Sequence, residues 1–198
     1  EPSVESTAGP AVDLDHLELL DLPSTSEEIW RYSRIGELDL SKFTPGDHQV
    51  EVEAGDELID AGGTNSLFDD PPDVFARISA AGGRAIHLSI PPGRVVDEPI
   101  VVTHSIPGGG ALTMPRLLID AGEDSEVTVI ERFRSVGDGQ GLTLPVLHVR
   151  VGPAARVKYL TVNELDEHTW SIGHQRAESD RDSTLLLSTV ALGGDYAR

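Results

Sequence analysis

Cysteine is absent from all 198 residues, so neither a disulfide nor a thiolate metal site can form within them. That absence fits a reducing compartment without requiring one. Aromatic residues make up only 5% of the chain, and no apolar run approaches the ~18 residues a membrane-spanning helix needs. The opening EPSVESTAGPAVDLDHLELLD lacks a basic start and an apolar block, so it does not read as a secretory signal. Positive charge is in deficit too: 15 Lys and Arg face 34 Asp and Glu, for a formal net charge of −19. Such a surface repels phosphate backbones, which argues against nucleic-acid partners. The acid excess is uneven, with 19 acids and 4 bases in residues 1–80 against 15 acids and 11 bases in 81–198. Two regions with different work are expected. For the first, a solvated acidic surface is the plain reading and a face for a basic partner the sharper one.

What is present is an ordinary 38% of hydrophobic residues, enough for a core. Residues 1–20, opening on Glu, Pro, Ser, Thr, Ala and Gly, read as a flexible leader. Residues 21–83 read as a small mixed, partly helical region. Within it, Thr25 followed by Glu28 has capping-box spacing, which predicts a helix with Ile29, Tyr32 and Ile35 on one face. The alternation of Trp30 and Tyr32 keeps a strand open. Residues 49–59, QVEVEAGDELI, predict a hairpin turning at Gly55-Asp56. PPDVFARISAAGG predicts a helix with Val74, Phe75, Ile78 and Ala81 on one face, opened near Pro72 and closed by Gly82-Gly83.

From residue 84 the pattern changes to short alternating segments rich in Val, Ile, Leu and Thr, as strands favour. They also repeat. Gly93, Gly122 and Gly152 stand 29 and 30 residues apart, preceded by Leu88, Leu117 and Leu147 and by Ile90, Ile119 and Val149. Val127 and Val129 match Val157 and Tyr159 at an offset of 30, and a looser copy follows at an offset of about 27. A period near 30 with two strands and a tight turn per unit fits a parallel β-solenoid, with an antiparallel sandwich as the competitor. In the solenoid, Leu117, Ile119, Val127 and Val129 point inward and Glu126 and Thr128 outward.

Candidate chemistry is sparse. Asp120, Glu123, Asp124 and Glu126 form an acidic knot that could attract calcium, but not at EF-hand spacing. The matching turn in the next unit holds Pro153, Ala154, Ala155 and Arg156, so the geometry recurs and the acids do not. Glu164, Asp166, Glu167, His168 and His174 are of metal-binding or acid–base type, but the two histidines are six apart rather than four. His16, His48, His87, His104 and His148 are scattered, and a structural role is the default. IPGGGAL (106–112) lacks the Lys-Ser/Thr of a phosphate loop, DGQGL (138–142) reads as a turn, and no nucleophile elbow is present. No catalytic, cofactor-binding or metal residue is expected.

Several separated motifs, in order over most of residues 22–198, resemble the SufB/SufD family of the SUF iron–sulfur cluster assembly system. SEEIWRYSRI resembles the N-terminal acid-Trp-Arg-Tyr-Ser signature of the SufD branch, with Ile29 intruding before Trp30. FARISAAGGRAIHLSIPPGRVVDEPIVVTH resembles that family's helix, strand and P-G…P-I passage, and PRLLIDAGEDSEVTVIERF one of its coils. LGGDYAR resembles the start of another coil. The resemblance implies a right-handed parallel β-helix after an N-terminal helical region, with a C-terminal helical domain not contained in these residues. It implies a cytoplasmic, non-catalytic scaffold subunit working with SufB-like and SufC-like partners, while cluster and ATP are handled on other subunits. No functional residue of the family maps onto this stretch. STVALGGDYAR ends on a strand and turn with no capping helix, from which a truncated solenoid is expected, with an open coil end able to pair in a homodimer. A polysaccharide-acting β-helix enzyme and a purely structural solenoid are the alternatives.

Overall fold

A computed structural model describes residues 12–54, 58–60, 71–82 and 85–198. The first elements are short: β1 (Thr44–Pro45), β2 (Gln49–Glu53), β3 (Ile59–Asp60) and one α-helix, α1 (Val74–Ala81). Four coils follow. The first is β4 (Ile86–Ile90), β5 (Ile100–Pro107) and β6 (Ala111–Thr113). The second is β7 (Arg116–Ala121), β8 (Glu126–Val136) and β9 (Gly141–Thr143). The third is β10 (Val146–Val151), β11 (Arg156–Glu164) and β12 (Thr169–Ser171), and the fourth β13 (His174–Ser179), β14 (Thr184–Ala191) and β15 (Tyr196–Ala197). Each coil places one strand in each of three five-stranded sheets, ordered β1-β6-β9-β12-β15, β2-β5-β8-β11-β14 and β3-β4-β7-β10-β13. All described pairings run parallel except β2 on β5 and β3 on β4. The expected mainly β, parallel solenoid is therefore what forms, and the sandwich is not.

The stacking follows the repeat. Leu117 pairs with Leu147, Ile119 with Val149, Val127 with Val157 and Val129 with Tyr159. Leu117, Ile119, Val127 and Val129 are buried in one core with Val149, Val151 and Val157, while Glu126 and Thr128 take the outward parity. Each fully buried Leu, Ile or Val there contributes roughly 1.5–3 kcal/mol.

The first coil departs from the expected alignment. Ile86, not Leu88, pairs with Leu117, and Leu88 pairs with Ile119. Gly93 accordingly stacks on Asp124 rather than on Gly122, its N–H donating to Glu123 O at 2.8 Å. The slip is two residues, and strands have period two, so every side chain keeps its face. The fourth coil sits at an offset of 28: Val146 pairs with His174 and Arg156 with Thr184.

The N-terminal region differs more. Thr25 does not cap a helix. One half of a box forms one residue earlier, with Ser24 N–H donating to Glu27 Oε1 at 2.7 Å, and a three-residue 3-10 turn, Glu28–Trp30, follows without a side-chain cap. So tight a turn carries no continuing helical face, and Ile29 and Tyr32 are 73% and 93% exposed while Trp30 and Ile35 are buried. The hairpin over 49–59 is also not formed. β2 and β3 join different sheets, each antiparallel to a first-coil strand, because those first strands otherwise lack a neighbour on that side. Gly55-Asp56 lies outside the described residues. Helix α1 forms as expected, with the Asp73 side chain accepting from Ala76 N–H at 2.9 Å. Val74, Phe75 and Ile78 are buried, but Ala81 is exposed and Ala76 takes a buried place instead. Gly82 closes the helix, and Gly83 lies outside the described residues.

This region covers the outside of one sheet. Leu112, Leu142 and Trp170 form an outward ladder on β6, β9 and β12, and Trp30, Leu40, Phe43 and Phe75 pack over it.

The stacked turn before the second sheet separates two roles of glycine. Gly93 has φ +71°, and its stacked equivalents Asp124, Ala154 and Asp182 hold φ of 54° to 58°, so a side chain is accommodated there. At Gly122, by contrast, a Cβ would lie 2.7 Å from Pro92 N and 3.0 Å from Ile90 O. Gly122→Ala should therefore destabilise the chain by about 1–3 kcal/mol in urea unfolding, through overpacking against backbone. Gly93→Asn should cost under about 1 kcal/mol.

Candidate functional site

The alternation that buries Val127 and Val129 also buries Glu131 and Phe133, at the same parity of β8. On β5 it turns His104 inward, and on β11 it turns Tyr159, Thr161 and Asn163 inward. Glu131 is 3% exposed and His104 1%. Buried polar groups need partners, and here they find one another across neighbouring strands. His104 Nε2 lies 2.9 Å from Glu131 Oε1. The Tyr159 hydroxyl donates to Glu131 Oε2 and accepts from Thr161 Oγ1 at 2.7 Å. His104 Nδ1 lies 3.0 Å from Nε2 of the half-buried His48. One proton arrangement satisfies all of these: His48 donates to His104, which donates to Glu131. His104 also stacks on Phe133, with centroids 4.9 Å apart.

The result is a hydrogen-bonded chain through the solenoid interior, from His48 before β2, across β5 and β8, to β11. It ties three successive strands of one sheet to the segment before β2 and continues into a cavity of about 490 Å³ lined by Glu131, Tyr159, Thr161, Asn163, Ser171 and Thr189. On β6 and β9 the buried hydroxyls of Thr113 and Thr143 have no hydrogen-bond partner among the described residues. Burial, then the negative charge of Glu131, pushes the Tyr159 phenol well above its ordinary value and keeps it a neutral donor. Burial, then the neighbouring His104, lowers His48 to about 4, so its neutral form is the folded one.

The candidates read from the sequence go elsewhere. Asp120 is gripped in a bidentate pair by Arg150 and approached by His87 Nε2 at 2.6 Å. Burial opposes its ionisation, but those two partners outweigh it and hold the carboxyl below its usual range. Glu123 and Asp124 are exposed in the turn, and Glu126 faces Lys158 at 3.9 Å on the outer surface. Glu164 pairs with Arg132, Asp166 Oδ1 accepts from His168 N–H and Thr169 Oγ1, and Glu167 is exposed. His174 reaches Asp73 at the start of α1, far from His168. Among the described residues no three His, Asp or Glu side chains are placed to hold one metal ion. His16 pairs with Asp13, and His148 with Glu178. Among the described residues, His48 and His104 are scattered histidines that meet. The interior chain was legible in one respect: His104, Glu131 and Thr161 share the parity of their apolar strand neighbours.

These features define a parallel β-solenoid with a polar seam in its core. Residues 104–198, most of the four coils, match the family model described as SUF system FeS cluster assembly, SufBD core domain. This segment is therefore similar to the core domain shared by SufB and SufD of the SUF iron–sulfur cluster assembly system. The description covers SufB and SufD together and selects neither. Comparisons with curated proteins and with solved structures give no match. Among the described residues no helix is long and apolar enough to cross a membrane.

The His48 environment sets a pH dependence. Its folded pKa lies below the unfolded value of 6.5, so the unfolded chain binds more protons between about 6.5 and 4. Stability attributable to His48 should fall as pH drops through that window. His48→Gln, which keeps a donor toward His104, should flatten the slope of unfolding free energy against pH between about 6.5 and 4. A slope identical to wild type would contradict the assignment.

Proposed function

We propose that this chain is part of a SufD-like subunit that acts in the cytoplasm through protein–protein contacts and not through catalysis. The observation that carries the reading is the family match over residues 104–198, joined to the SEEIWRYSRI opening that resembles SufD rather than SufB. The geometry is in keeping with a scaffold. Its most polar interior cluster is internally satisfied, and its outer sheet faces are rigid because each strand is hydrogen-bonded to neighbouring coils. A SufB-like subunit would be its principal partner and a SufC-like ATPase the second, with cluster and ATP bound outside these residues. Self-association is the fallback when the partner subunit is missing. The polysaccharide-acting alternative would draw on Asp120 and Asp124, and the engagement of Asp120 by Arg150 and His87 with Asp124 in an exposed turn favours the scaffold reading.

The test is co-expression of the intact parent protein with SufB-like and SufC-like subunits from the same source. Both should co-purify with it in fixed stoichiometry through size exclusion. Recovery of the protein without either would contradict the proposal.

A further inference from the structure

The three outer faces of the solenoid are not treated alike. The face over β6, β9 and β12 is covered by Trp30, Phe75 and their neighbours. On the face over β7 and β10, the apolar Leu118 and Val146 are covered by Ala76 of helix α1. The face over β8, β11 and β14 carries Ile130, Leu160, Val162, Leu186 and Val190 at outward parity. Ile130 and Leu160 are register partners, as are Val162 and Val190, while Leu160 meets Ser188 and Leu186 meets Lys158. Leu186 is 55% exposed and Val190 41%. The principal contacts of β8, β11 and β14 are with strands of their own sheet.

The rim has the opposite charge to the molecule. Arg132, Arg134, Arg156 and Lys158 stand outward on β8 and β11 against Glu126 and Glu164, with Asp124 of the adjoining turn facing Arg156. This is a locally cationic face on a chain of net charge −19. Arg134, Arg156 and Lys158 have side chains 55%, 56% and 61% exposed, in pairs of 3.4, 4.0 and 3.9 Å. Exposed pairs of that length are weak and exchange readily for other carboxylates. An acidic partner is repelled by most of this molecule and attracted here, which gives docking a direction.

From the uncovered apolar ladder and its cationic rim, we infer that the outer face of β8, β11 and β14 is a docking surface for an acidic amphipathic helix of a partner protein. A helix is the occupant because the molecule itself covers the corresponding apolar positions on β7 and β10 with one. Its apolar stripe lies along Leu160, Val162, Leu186 and Val190, and its carboxylates meet Arg134, Arg156 and Lys158. The inference deepens the scaffold reading, on which it rests, by naming one surface through which a partner is held.

The test uses the full chain and a fluorescein-labelled helical peptide with Leu on one face and Glu on the other. Fluorescence anisotropy should show saturable binding that weakens with added salt. A peptide with Lys in place of Glu, and one with the same composition scrambled, should bind about tenfold more weakly or worse. Leu186→Asp with Val190→Asp should reduce affinity by a similar factor, with circular dichroism and melting unchanged because both positions are exposed. Absence of binding, equal binding of the Lys peptide, or an unaffected double variant would overturn the inference. So would concentration-dependent sedimentation of the chain alone that the double variant abolishes, since the face would then belong to a second copy. The peptide assay needs no SUF subunit. If it fails while co-purification succeeds, only this surface is wrong, and failed co-purification alone removes the SufD-like assignment.

Discussion

The coil-to-coil hydrogen-bond ladder is the constraint on which everything else depends. A single coil has three strands and no way to bury its inward side chains or pair its backbone. Stacking supplies both at once, and it fixes the register of every strand through the shared turn. Gly122 N–H donates to Ile90 O, Gly152 N–H to Ala121 O and Asp180 N–H to Val151 O. Those repeated bonds keep the coils level, and level coils place Val127 over Val157 and Glu131 over Thr161. The interior polar chain is a product of that register, since shifting one coil by a residue would turn Glu131 to solvent and Ile130 into the core.

The interior chain has energetic consequences of its own. Removing a buried carboxylate's donors, or the carboxylate itself, leaves groups that water cannot reach. The geometry avoids that by giving Glu131 a histidine on one oxygen and a tyrosine on the other. His48 extends the chain to a half-buried position at the first coil, so the antiparallel strand β2 is joined to the coils through side chains as well as through its ladder. The resulting core is specified by polar contacts as well as by volume.

Much of the solenoid was legible in the sequence because period two and period thirty are both local readings. Inward positions such as Leu117 and Val129 follow from alternation alone, and the 30-residue spacing of coils two and three follows from the glycines. The first coil misled because Gly93 and Gly122 look equivalent but perform different jobs: one turns in the left-handed region, the other makes room for Pro92. Short 3-10 turns between 14 and 42 have no periodicity long enough to read, so Trp30 and Ile35 were separable from Ile29 and Tyr32 only once they met the solenoid. The meeting of His48 with His104, 56 residues apart, depends on an antiparallel strand that the sequence suggests belongs to a local hairpin. The family likeness was legible through ordered motifs, whereas the proposed choice of subunit rests on the WRY segment outside the matched residues.

The chain's lack of cysteine permits a direct test of the stacking. Thr128 and Lys158 face outward on adjacent strands in register, 30 residues apart, at a separation parallel neighbours share with natural disulfides. The doubly substituted chain with Thr128→Cys and Lys158→Cys should close an intramolecular disulfide under mild oxidation, seen as a mass loss of about two hydrogens and a linked peptide after digestion. Thr128→Cys with Val162→Cys, four residues out of register, should remain reduced under the same conditions. Linkage of the out-of-register pair in preference to the in-register pair would contradict the parallel solenoid and everything built on it.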